Sequence, residues 1–112
     1  MSKPTVNGKV EEPFVIGGKV RQHTKIISGP LSYTTSGDAL PSSDFSDTWF
    51  LSVPPAISTD GTRIAYFYPA NGDAALHKSI KMLIVDVTTG AEVANASDQT
   101  TKKFVVVAQM VG

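Results

Sequence analysis

His23 and His77 are the two histidines of this 112-residue chain, and a metal site would need three or four such groups converging on one point. His23 stands between Arg21 and Lys25 in an alternating stretch, a poor place for a cation ligand. His77 follows Asp73 by four residues with no third ligand nearby in the sequence. Asp44, Asp47, Asp60 and Asp73 have the chemistry of paired acid and base carboxylates. Each falls in a turn, however, where aspartate ordinarily hydrogen-bonds its own backbone. Serines are plentiful, but none sits in a Gly-x-Ser-x-Gly elbow. Gly17-Gly18 leads into a strand rather than a helix, so it is no phosphate loop. Cysteine is absent, which removes disulfides and thiolate metal sites. These residues predict no catalytic centre, no metal and no cofactor.

The elements that would carry any site are strands. Lys19 to Ser28 alternates with period two: Val20, Gln22, Thr24 and Ile26 on one face, Lys19, Arg21, His23 and Lys25 on the other. Thr48 to Val53 reads as a strand with Trp49, Leu51 and Val53 inward. Asp60-Gly61 is a strong hairpin signal, and Thr62 to Tyr68 leaves it with Ile64, Tyr66 and Tyr68 on one face. Ser79 to Val87 and Lys103 to Met110 are apolar on both faces, the pattern of central, covered strands. Thr88-Thr89-Gly90-Ala91 predicts a further hairpin turn, and Ala74 to Lys78 one helical turn. From Thr34 to Asp47 the chain is mostly Ser, Thr, Asp, Gly and Pro, a long loop pinned by Leu40 and Phe45, with a short turn allowed over residues 42–45. Residues 1–13 are polar, with Pro4 and Pro13, and read as a flexible arm. The expectation is one all-β domain over residues 14–112: a small antiparallel sandwich or partly closed barrel of six to eight strands, preceded by that arm.

Composition narrows the function classes. The net charge is zero, which provides no global field for nucleic acid. The charge is unevenly spread, positive over residues 1–30 and negative over residues 31–77. Apolar runs such as Phe104 to Ala108 are far too short to span a bilayer. The first nine residues contain no apolar stretch of a secretory signal, so the Asn95-Ala96-Ser97 acceptor triplet is read as chance. Trp49, Tyr66, Phe67 and Tyr68 could act as stacking platforms, but with nine aromatics in the chain most are expected in the core.

Three stretches carry a resemblance: Leu31-Ser32-Tyr33-Thr34-Thr35-Ser36-Gly37-Asp38-Ala39-Leu40, then Ile64-Ala65-Tyr66-Phe67-Tyr68-Pro69-Ala70-Asn71-Gly72, then Ala94-Asn95-Ala96-Ser97-Asp98 with a Val-rich last strand ending at Val111-Gly112. From about Ile27 onward the chain resembles the small decoration, or cement, proteins of tailed-bacteriophage heads. The resemblance implies a virion protein without enzymatic activity, made in the host cytoplasm and bound to the outer surface of the capsid. It implies dimers or trimers that grip the major capsid protein across subunit junctions and help the shell withstand packaged DNA.

Under that reading the contact elements are the arm (Lys3, Lys9, Phe14), the basic row (Lys19, Arg21, Lys25) and the polar loop with its approach (Tyr33, Asp38, Leu40, Phe45). The basic row must be solvated or paired with something acidic, such as the 38–73 region of a neighbouring copy. The alternative is a carbohydrate- or receptor-binding sandwich module of a phage tail or fibre, using Trp49 and Tyr66 to Tyr68.

Overall fold

Alternation sets the core. In the strand Lys103–Val111 every second side chain, Phe104, Val106, Ala108 and Met110, is fully buried, while Lys103 and Val105 face out. Period-two burial of this kind is what a sheet with one covered face requires. The computed structural model describes residues 3–69 and 78–112, and within residues 8–14 and 16–17 the backbone alone.

Among the described residues eight strands form in order: β1 (Thr5–Gly17), β2 (Val20–Ser28), β3 (Asp38–Pro41), β4 (Trp49–Ser52), β5 (Ala56–Ile57), β6 (Arg63–Pro69), β7 (Ser79–Asp86) and β8 (Lys103–Val111), with one 3-10 turn at Ser42–Phe45 between β3 and β4. They make two four-stranded antiparallel sheets, ordered β1-β2-β8-β4 and β3-β7-β6-β5. The sheets pack as an open sandwich and do not close into a barrel. A single bridge from Ser58 to Phe104 joins them at one end.

The inner faces supply one core. Ile27, Phe50, Phe104, Val106, Ala108 and Met110 come from the first sheet, Leu40, Ala56, Ala65, Ile80, Met82 and Ile84 from the second, and Tyr33 and Phe45 fill in from the connecting segments. Each large apolar side chain so buried contributes about 1.5–3 kcal/mol. Phe45 and Phe50 meet edge to face, with ring centroids 5.3 Å apart.

Four sequence expectations need correction. Thr5 to Pro13 are not a loose arm: from Thr5 the backbone is strand β1, paired with β2 along its length through several register shifts. A two-residue turn, with Gly18 at φ 55°, closes that hairpin. The 34–47 segment is not all loop: it holds strand β3, and the short turn allowed over residues 42–45 is there as the 3-10 turn. In β4 the phase is reversed: Phe50 is buried, Trp49 half-buried and Leu51 exposed. Phe50 pairs with Met110, so it shares that residue's inward face, and a slip of one position moves every side chain across the sheet. Finally, β7 is central, but only Ile80, Met82 and Ile84 are buried. Leu83 and Val85 are half-buried and Val87 is exposed. The helical turn expected over 74–78 lies almost wholly outside the described residues.

Candidate docking surfaces

β2 pairs Arg21 with Met110, His23 with Ala108, and Ile27 with Phe104. The face carrying the basic row is therefore the inner one. It is tolerated there because Asp47 reaches it from the turn before β4. Arg21 Nε donates to Asp47 Oδ2 at 3.0 Å, a terminal Arg21 nitrogen donates to Oδ1 at 2.7 Å, and His23 Nε2 lies 2.8 Å from Oδ2. The Thr48 amide donates to Oδ1 at 2.9 Å. The Arg21 hydrogen bonds, opposed by burial and reinforced by His23, hold the Asp47 carboxyl well below the usual carboxylate range. Asp47 in turn pushes the Arg21 guanidinium up. His23 Nδ1 is buried without a hydrogen-bond partner. The acid expected opposite the basic row thus belongs to this same chain, and Arg21 is not free for a partner. Lys25 is half-buried; Lys19, in the β1–β2 turn, is exposed.

Tyr33, Asp38, Leu40 and Phe45 are all buried, which corrects their assignment as partner contacts. Leu40 and Phe45 are core residues, consistent with pinning the loop. Tyr33 donates to Glu92 Oε2 at 2.5 Å, and its hydroxyl accepts the Ile84 amide at 3.2 Å. Burial first, and Glu92 second, push its phenol well above the ordinary range. Glu92 also accepts the Ser36 amide at 2.6 Å, Asn95 Oδ1 accepts the Thr35 amide at 3.0 Å, and Asp38 accepts the Thr34 amide at 3.1 Å. The segments 31–40 and 94–98 are therefore fastened together. The Tyr33 amide donates to Ser97 and the Ala96 amide to Tyr33.

Near the N-terminus, Lys3 forms an ion pair with Asp44 at 3.0 Å and Pro4 is buried. The side chains of Lys9 and Phe14 lie outside the described residues, as do Asp73 and His77. Asp60 behaves as a turn aspartate: its Oδ1 accepts from Ser58, Thr62 Oγ1 and the Thr62 amide, and Lys102 lies 2.8 Å from Oδ2. These partners, Lys102 foremost, hold its carboxyl below the usual range. Among the described residues, no group of three or more His, Asp or Glu is placed to hold a metal ion. A cleft of about 570 Å³ beside β3 is bordered by Lys3, Asp38 and Lys81, but Asp44 engages Lys3 and the Thr34 amide engages Asp38.

Among the described residues a different surface is partly open. On the outer face of the second sheet, Ile57 pairs with Ile64 and Ile64 with Val85, and Tyr66 pairs with Leu83. Ile57 is 62% exposed, Tyr66 43% and Val87 44%. An outer face this apolar departs from the polar surface that a solvated antiparallel sheet ordinarily shows. Its signal was in the sequence: β7 is apolar on both faces, and Ile64, Tyr66 and Tyr68 share a face of β6. Two-sided apolarity suggested two covering layers, whereas the described residues supply one.

Comparison of the chain with protein-family models, with curated proteins and with solved structures gave no match.

Proposed function

We propose that this protein is a structural component of a tailed-phage virion, a decoration protein that binds the outside of the capsid, holds neighbouring major capsid subunits together as a small homo-oligomer, and performs no catalysis. The observation that carries the reading is the contrast between its charged and apolar surfaces. The ionisable clusters at Asp47, Asp60 and Glu92 are closed by partners within the chain, while an apolar sheet face is open. Such a surface suits binding to protein better than turning over a substrate. The step from protein binding to a capsid rests on the resemblance of Leu31–Leu40, Ile64–Gly72 and Ala94–Asp98 to decoration proteins. Binding the assembled shell, and not its separated subunits, would stabilise it by mass action. Symmetry-related copies would sum weak contacts into a large effect.

The aromatic residues favour this over sugar binding. Of the aromatics that a sugar-binding module would use, Trp49 is half-buried with Lys78 Nζ 4.9 Å from its ring centre, Phe67 is half-buried and the Tyr68 hydroxyl donates to the Ser36 carbonyl, which leaves Tyr66 as the one that is openly exposed. The test is mass spectrometry of purified virions of the phage that encodes the chain, with pelleting of the purified protein on its expanded shells. Saturable binding at a fixed ratio to the major capsid protein is expected. Absence from the virion together with no pelleting overturns the proposal.

A further inference from the structure

We infer that the free edge of β3, with the cleft beside it, takes up an extended segment of a partner protein as an added strand, and that this segment carries a carboxylate for Lys81. The inference rests on the reading of the protein as one that grips other proteins, and names the place and the chemistry of the segment it grips.

The backbone of β3 is bonded on one side only. The Ser42 amide donates to Lys78 at 2.8 Å, just past the ladder that pairs Pro41 with Ser79 and Asp38 with Met82. Hydrogen-bonded pairs in an antiparallel ladder recur at every second residue. Leu40 and Asp38 therefore turn their backbone groups toward β7, while Ala39 turns its N–H and C=O, and Pro41 its C=O, to the open side. Pro41 has no N–H to leave unpaired there, which suits an edge position. β3 ends its sheet, and Ala39 is exposed. One donor and two acceptors thus stand ready for strand addition.

The other edges are less suited. β5 is tied to β8: Ser58 bridges to Phe104, and the Thr59 amide donates to Lys103 at 2.8 Å. β1 contains Pro13 and four register shifts against β2, which spoil it as a flat template. Beside β4 the cavity is about 200 Å³, and no charged residue borders it. The cleft beside β3 is about 570 Å³, within the range of about 300–1,000 Å³ that ligand sites occupy.

Charge selects the segment. Lys3, at the border of the cleft, is paired with Asp44. Asp38 is buried on the face of β3 opposite to Ala39, where it accepts the Thr34 amide. Lys81 pairs with Ala39 across the ladder and so shares its face. It is half-buried, and its ammonium makes no hydrogen bond or ion pair among the described residues. A residue added opposite Ala39 stands two strand spacings, about 10 Å, from the Lys81 backbone. A lysine and a glutamate side chain together close that gap, and the Ala39 methyl between them is too short to block it. A carboxylate in that position is attracted and a second cation repelled. A four-residue edge makes each contact weak, and repetition over many copies supplies the strength.

Magnetic resonance titration of the purified chain with end-blocked peptides of about eight residues tests it. The peptides alternate Thr and Val, with Glu or Lys at a central position. The Glu peptide should bind saturably and shift the Ala39 amide resonance, with a dissociation constant of about 1 mM or lower. The Lys peptide should bind at least about tenfold more weakly, and Lys81→Glu should reverse that order. N-methylation of one alternate set of peptide amides should abolish binding, and of the other set leave it intact. No saturable binding of the Glu peptide up to about 10 mM overturns the inference, as does equal binding of the Glu and Lys peptides. Hydrogen exchange over residues 37–42 is read separately on protein pelleted with shells, where the Ala39 amide should exchange at least about tenfold more slowly. Shell binding with Ala39 exchange unchanged overturns the inference and leaves the decoration reading standing. Binding of the Glu peptide without pelleting on shells upholds the edge site and removes the capsid reading.

Discussion

Arg21 and Asp47 meet in a two-point contact, guanidinium Nε to one carboxylate oxygen and a terminal nitrogen to the other, on the inward face of β2. His23 Nε2 meets the same oxygen, Oδ2, that accepts from Arg21 Nε. One aspartate thereby makes a basic row compatible with the interior. The Asp47 side chain is 3% exposed and that of Arg21 33%.

Asp47→Ala is expected to lower stability by about 2–3 kcal/mol. Breaking a fully buried pair costs about 3–5 kcal/mol, and the exposure of Arg21 lowers that figure. The shift in urea midpoint at neutral pH measures it.

The acid limb follows from the same carboxylate. Its folded value is depressed below the ordinary value of about 3.9, so its contribution is whole above about pH 5 and fades as pH falls below about 4. The stability difference between wild type and Asp47→Asn should therefore be largest near neutrality and shrink in acid. A difference that grows in acid contradicts this assignment.

Phe50→Ala should cost about 3–5 kcal/mol, as large core truncations do. Trp49 is half-buried and would carry that cost only if it pointed inward, so Trp49→Ala should cost clearly less, while Leu51→Ser should stay within about 0.5 kcal/mol. Thermal or urea unfolding of the three variants ranks them, and Trp49→Ala exceeding Phe50→Ala would reverse the assigned phase of β4.

Gly29→Ala should be destabilising by about 1–3 kcal/mol. A Cβ there would lie 2.3 Å from the Gln99 carbonyl oxygen and 2.9 Å from its carbonyl carbon, backbone that cannot swing aside. The Gly29 amide donates to Lys102, and that of Gln99 to Pro30, which fixes the approach. Differential scanning calorimetry provides the comparison.

Much of the sandwich was legible. β6, β7 and β8 announce themselves through long β-branched and aromatic runs bounded by turn residues, and Asp60-Gly61 marks its hairpin. The short turn at Ser42–Phe45 and the pinning by Leu40 and Phe45 were readable too. What failed has physical causes. β1 hides behind Pro13, Glu11 and Glu12, because a long edge strand is held by pairing with β2 rather than by its own apolar pattern. In β4, Trp49 and Phe50 are adjacent large aromatics, and only the register with Met110 decides which faces inward. For the candidate surface, composition placed Asp38 in a polar loop with Tyr33 at its approach, whereas the Asp38 side chain serves that loop's own backbone and the Tyr33 hydroxyl is taken by Glu92 and the Ile84 amide. That the basic row needed an acid was legible; that the acid was Asp47 required the fold.

The position of β8 bears on how the chain folds. It is the last strand in sequence, yet it is the spine of the first sheet, flanked by β2 and β4. His23 must find Ala108 and Phe50 must find Met110 across most of the chain. As the chain emerges during synthesis, β3, β5, β6 and β7 can assemble before β8 exists, while β2 and β4 wait for their common neighbour. Pairings so distant in sequence slow the search, and until β8 arrives both strands offer unsatisfied edges to other chains. Nascent protein and any form cut short before Lys103 should therefore depend on chaperones far more than the finished molecule does.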